Sequence, residues 1–177
     1  MVYTAPTVVN GTPYDASLWQ AALDEIARLS ALADSYARGE MVTPVHGGSA
    51  AAFTNAAEVA VSTLTATFTN GRKAYVETSF MWGSTVANDV AVFRIRYRAG
   101  ASIGTVNTAT QAHIRTVKAP AANTGYPLSF NLPLPTTLSG TYTVALTAIR
   151  SSGSGNCQVD GTSDGSDRTF ALLDMGA

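Results

Sequence analysis

Reactive side chains are scarce in this chain, and the scarcity excludes whole classes of chemistry. One cysteine, Cys157, stands alone among 177 residues, so there is no internal disulfide, and with two histidines it cannot close a zinc site. A serine hydrolase needs a base within reach of its nucleophile. The histidines are His46, in a small-residue stretch, and His113, in a predicted strand. Gly153-Ser154-Gly155 lacks the nucleophile-elbow pattern and its strand-to-helix context. No acidic pair, Glu58 with Glu77 included, has a spacing that marks a glycosidase dyad. The expectation is a protein without enzymatic activity and without a cofactor.

Charge is equally sparse. Charged residues make up 13% of the chain and the formal net charge is −1, which gives no broad attraction for nucleic acid or an anionic membrane. No apolar run approaches the ~18 residues of a membrane span, and the amino terminus has no basic segment leading into an apolar one. Synthesis in a host cytoplasm without a signal peptide is expected. At 46% hydrophobic residues the chain nevertheless has the material for a substantial core.

What is present is a change of period. Over residues 1–14, Pro6, Asn10-Gly11 and Pro13 favour an extended or turning arm. Ser17 to Gln20 then fits a capping box, with Asp15 as a rival cap. Trp19, Ala22, Ile26, Leu29, Ala33 and Tyr36 follow at alternating spacings of three and four, widened by Leu18, Leu23 and Leu32, which is a heptad seam on a helix of about 20 residues. Arg38-Gly39 supplies a cation and a glycine suited to ending it. A single helix cannot bury such a stripe on itself. Three destinations are open: its own sheet, a bundle of about three chains, or a groove in another protein. Trp19, Ala22, Leu23, Ile26, Leu29, Ala33 and Tyr36 are the candidate anchoring and oligomerising residues.

Beyond the helix, Gly47-Gly48-Ser49 and Ala50-Ala51-Ala52 suggest a hinge. The expected organisation is an arm and anchoring helix over residues 1–38, a small-residue hinge over 39–57, and a β head over 58–177. In the head, Val90 to Arg98 alternates Ala91, Phe93, Ile95 and Tyr97 against Arg94, Arg96 and Arg98, as a half-buried antiparallel strand requires. Tyr126 to Leu132 and Thr141 to Thr147 repeat the pattern. Ser62 to Phe68, Ala74 to Trp82, Gln111 to Val117, Asn156 to Asp160 and Thr169 to Leu173 are further candidates. Asn70-Gly71 reads as a hairpin turn between the first two of these, and Pro133 and Pro135 confine residues 131–137 to an edge or loop. About eight such strands without helices between them predict a mainly β fold, an antiparallel sandwich of jelly-roll or immunoglobulin-like type.

Three polar or aromatic groups stand out in the head. Arg94, Arg96 and Arg98 are either a solvated outer face or a candidate inter-subunit or ligand contact. Asp160, Asp164 and Asp167 crowd a turn whose oxygens suit calcium, although the spacing is not that of an EF-hand; a solvated loop explains them equally well, and no metal is assigned. Tyr75, Trp82, Tyr97 and Tyr126 could stack on sugar rings, but their phase favours the core.

Several segments together resemble accessory virion proteins of tailed bacteriophages, especially capsid decoration, head-fibre or minor tail proteins of phages infecting actinobacteria. They are Asn10-Gly11-Thr12-Pro13-Tyr14-Asp15-Ala16-Ser17-Leu18-Trp19 leading into a helix, Asn70-Gly71-Arg72-Lys73, Leu138-Ser139-Gly140-Thr141-Tyr142-Thr143-Val144, and Phe170-Ala171-Leu172-Leu173-Asp174-Met175-Gly176. The chain departs from the pattern at Gln20, where asparagine is usual, and at Met175, where valine or isoleucine often stands. The resemblance implies a virion location, with the arm and helix fastened to major capsid or tail proteins, the sandwich displayed outward, and a homotrimeric state. It carries over no catalytic residue. The alternative is a carbohydrate-binding module that recognises bacterial surface glycan, with the helix incidental.

Overall fold

In the computed structural model the described residues are 20–29, 39–46, 51–159 and 168–176, and the chain divides into two compact units, Met1–Tyr36 and Ala37–Ala177. The described part of the first unit is a helix, α1, over residues 20–29. Its geometry separates two faces: at 100° per residue, Ala22, Leu23, Ile26 and Leu29 fall on one side and Gln20, Asp24, Glu25 and Arg28 on the other. The polar side is tied along the helix. Gln20 Nε2 donates to Asp24 Oδ1 at 2.8 Å, and Arg28 clamps Glu25 through two bonds of 2.7 and 2.8 Å.

The second unit is built of antiparallel strands: β1 (Gly39–Glu40), β2 (Val45–His46), β3 (Ala51–Phe53), β4 (Val59–Phe68), β5 (Ala74–Ser84), β6 (Val90–Ala99), β7 (Thr110–Lys118), β8 (Tyr126–Pro133), β9 (Gly140–Ser152), β10 (Cys157–Val159) and β11 (Thr169–Asp174). They form two sheets. The four-stranded sheet runs β4-β9-β6-β7. In the seven-stranded sheet β5 is central, with β8 on one side and β11 and β10 sharing the other; β1 and β2 flank β11, and β3 flanks β10.

Alternation explains the packing. Val76, Phe80 and Trp82 of β5 and Phe93 and Ile95 of β6 are all buried and meet between the sheets: Phe80 and Phe93 lie 4.9 Å apart, and Trp82 and Phe53 each turn an edge toward Phe93 at 5.9 and 5.8 Å. Edge-to-face contacts of this kind suit the aromatic quadrupole. The expected mainly β sandwich is therefore the observed one, with Tyr126–Pro133 an edge strand that, among the described residues, pairs only with β5.

One expectation is corrected. Asn70-Gly71 does form a turn, with Arg72 N bonded to Thr69 O at 3.2 Å and Gly71 at φ 85°, but it is not a hairpin. β4 and β5 belong to different sheets, because Leu64 and Phe68 face Val76 and Phe80 across the core rather than pairing edge to edge. Within the stretch 39–57 the described residues carry β1, β2 and β3, and Gly47-Gly48-Ser49-Ala50 of the expected hinge lie outside the described residues. Small side chains there permit close strand approach: Ala51 and Ala52 pair with Val159 and Gln158.

Candidate functional site

The arginine stripe on β6 is the sharpest polar feature of the second unit, and the structure answers its charge from within. Arg94 pairs across the ladder with Thr147, Arg96 with Ala145 and Arg98 with Thr143 of β9, so long cations lie beside small residues on the outer face of the sheet. That covering explains why residues 143–148 of β9 are buried on both faces, where simple alternation predicts one. Glu58, just before β4, reaches over the same face. Its carboxylate takes two bonds from Arg96, at 2.7 and 2.8 Å, one from Arg94 at 2.9 Å and one from the Thr147 hydroxyl. Arg96 spends a further N–H on Ala109 O at 2.8 Å.

The Glu58 side chain is 7% exposed. Burial pulls its carboxyl upward, but the bonds from Arg96 and Thr147 and the charges of Arg94 and Arg96 outweigh this, and the group stays below the ordinary carboxylate range. Arg94 and Arg96 thus share the single Glu58 carboxylate inside the chain, whereas Arg98 is exposed beside the Gly104 loop. The three arginines therefore differ in their surroundings: two share a carboxylate and the third faces solvent. Glu58 is the member that sequence reasoning missed. A stripe of arginines on a central strand calls for a carboxylate, yet nothing in the spacing selects one of 12 acidic residues.

A second polar centre lies at the opposite end of β6. Asp89 is 1% exposed and sits in a cradle of donors: Ser84 Oγ at 2.5 Å, Ser154 N at 3.1 Å and Gly155 N at 2.9 Å. Gly153-Ser154-Gly155 is a loop wrapped on this carboxylate. A Cβ at Gly153, where φ is 97°, would stand 1.7 Å from Asp89 Oδ1. Arg150 fastens the same loop by donating to Gly155 O and, at 3.2 Å, to Asn55 Oδ1. Cys157 beside it is fully buried, and burial pushes its thiol up, away from the reactive thiolate. Ser154 therefore presents its backbone to Asp89, and no histidine is bonded to its side chain among the described contacts.

The remaining candidates are dispersed. His113 Nε2 donates to Pro133 O at 2.6 Å, linking the edge strands of the two sheets. Glu58 belongs to the β4 side of one sheet and Glu77 lies on β5 in the other. Trp82 is 3% exposed and packs on Tyr126, whose hydroxyl takes the Ala121 amide at 2.9 Å. Tyr97 packs on Tyr142, and Tyr75 points from β5 to the side opposite Trp82, so the four aromatics do not share one platform. Asp160, Asp164 and Asp167 lie outside the described residues, as do Trp19, Ala33 and Tyr36. Among the described residues no group of three or more His, Cys, Asp or Glu could hold a metal ion, and no helix is long and apolar enough to cross a membrane.

Of the seam, α1 carries Ala22, Leu23, Ile26 and Leu29 among the described residues. Leu23, Ile26 and Leu29 are 53, 62 and 48% exposed, while Ala22 is half-buried.

No protein-family model matches the chain, and no curated protein matches it in sequence. Solved structures do match in part. A structure of the infectious bursal disease virus Gx strain aligns with 80% of this chain at 13% identity and a TM-score of 0.36, and the VP2 subviral particle of infectious bursal disease virus aligns with 80% at 12% identity and 0.34. The matched region is 36 and 37% of the length of those chains.

Proposed function

We propose that the chain is a non-enzymatic structural protein of a virion, a bacteriophage capsid decoration, head-fibre or minor tail protein, in which the amino-terminal helix associates with its copies and with the particle and the β-sandwich is displayed. The observation that carries this reading is the exposed apolar face of α1. Three large aliphatic side chains in a row, each about half exposed or more, form a surface that water disfavours and that another chain would cover. In the second unit the strongest polar groups serve the fold: Glu58 pairs with both Arg94 and Arg96, and Asp89 holds a loop. That arrangement suits a rigid displayed body better than a reaction centre. The heptad spacing through Trp19, Ala33 and Tyr36 extends the same seam and fits a homotrimer.

Particles produced from the genome that encodes the chain provide the test. An antibody raised to the sandwich should label intact particles, and particles made with a chain lacking residues 1–38 should lose the label. Label confined to the soluble fraction, or equal labelling with the shortened chain, would overturn the proposal.

A further inference from the structure

The two sheets end side by side in edge strands that are unlike each other. Among the described residues β8 pairs only with β5, and it carries Pro127 and Pro133; proline withholds the amide that an added strand would need. β7 pairs only with β6 among the described residues, runs for nine residues and contains no proline. Its ladder with β6 is irregular where Ile95 and Arg96 face His113 and Gln111, and regular from His113 to Lys118. Those six residues leave one side of an extended backbone without a strand partner.

Their side chains select what could pair there. Ile114, Arg115, Thr116 and Lys118 are exposed, Ile114 to 55%, and β7 has two permanent cations and no acid. Glu58, the carboxylate on the outer face of this sheet, is already committed to Arg94 and Arg96. Charges on an edge discourage pairing with an identical strand, since like charges facing each other across a ladder are destabilising, and opposite charges stabilise by a similar amount. We infer that residues 113–118 of β7 are a strand-addition site for an extended acidic segment of another polypeptide, paired antiparallel, with carboxylates opposite Lys118 and Arg115 and an apolar side chain opposite Ile114. Main-chain bonds would supply the affinity and the alternating side chains the choice of partner. The inference rests on the sheet edge and is independent of the virion reading.

A blocked peptide of sequence Glu-Val-Thr-Glu-Val-Thr is the probe, and its lysine counterpart, Lys-Val-Thr-Lys-Val-Thr, is the control. Binding to the full-length protein is followed by fluorescence anisotropy together with amide hydrogen exchange. The acidic peptide should bind about tenfold more tightly than the basic one and slow exchange within residues 113–118, and in the Arg115→Glu, Lys118→Glu double variant the preference should reverse. Both substituted residues are exposed, and circular dichroism of the variant confirms its fold. Equal binding of the two peptides, or binding without protection of 113–118, would overturn the proposal. So would protection of 113–118 in the free protein with dimer formation, because the occupant would then be a second copy.

Discussion

Glu58 does at the level of single residues what no other carboxylate in the described chain does: it satisfies two guanidinium groups and a hydroxyl while almost out of water. Replacing it with glutamine leaves Arg94 and Arg96 facing each other without their counterion, and breaking a buried pair in this way costs about 3–5 kcal/mol. Glu58→Gln should lower the urea midpoint accordingly. The same group sets an acid limit. Its carboxyl is depressed in the folded state, so its stabilisation is complete above the unfolded carboxylate range and is lost as pH falls through the folded value. Stability of the native protein should decline through the acid range, and Glu58→Gln should flatten part of that decline. Asp89 makes a sharper case. Asp89→Ala strands the amides of Ser154 and Gly155 and the Ser84 hydroxyl, a loss of about 2–4 kcal/mol that a thermal melt would register. Neither centre was legible in the sequence. Glu58 lies 36 and 38 residues from its arginines and Asp89 lies 65 and 66 from the two amides of its cradle, and periodicity carries no information about partners so far apart.

Elements were legible to the extent that one face of each is dry. The alternation of β6, β8 and β9 was readable because an inward apolar residue recurs at every second position, and the strands stand where that pattern runs. What alternation cannot say is which strand pairs with which, and Asn70-Gly71 shows it: a competent turn sequence joins two strands whose dry faces meet across the core. The conformational demand is still local. Gly71→Ala meets no neighbour but must hold φ at 85°, and should cost about 1 kcal/mol in denaturant unfolding. β1 to β3 escaped notice because two or three residues are too few to carry a period; they exist through their ladders to β10 and β11. In α1 the apolar face was readable and its exposure was not. Burying an exposed leucine or isoleucine returns about 1.5–3 kcal/mol, and an amphipathic helix draws most of its stability from such packing. The double substitution Ile26→Asp, Leu29→Asp should therefore abolish self-association in sedimentation velocity while leaving the unfolding of the sandwich unchanged.

At the scale of the whole molecule the two units differ: α1 carries Leu23, Ile26 and Leu29 at about half exposure or more, and the sandwich spends its strongest polar groups internally. The central claim is that the seam is covered by copies of the same chain. Its most direct test is the solution mass of the full-length protein by sedimentation equilibrium at micromolar concentration. The account predicts three times the 18.4 kDa of a single chain; a mass of 18.4 kDa that persists as concentration rises would contradict it.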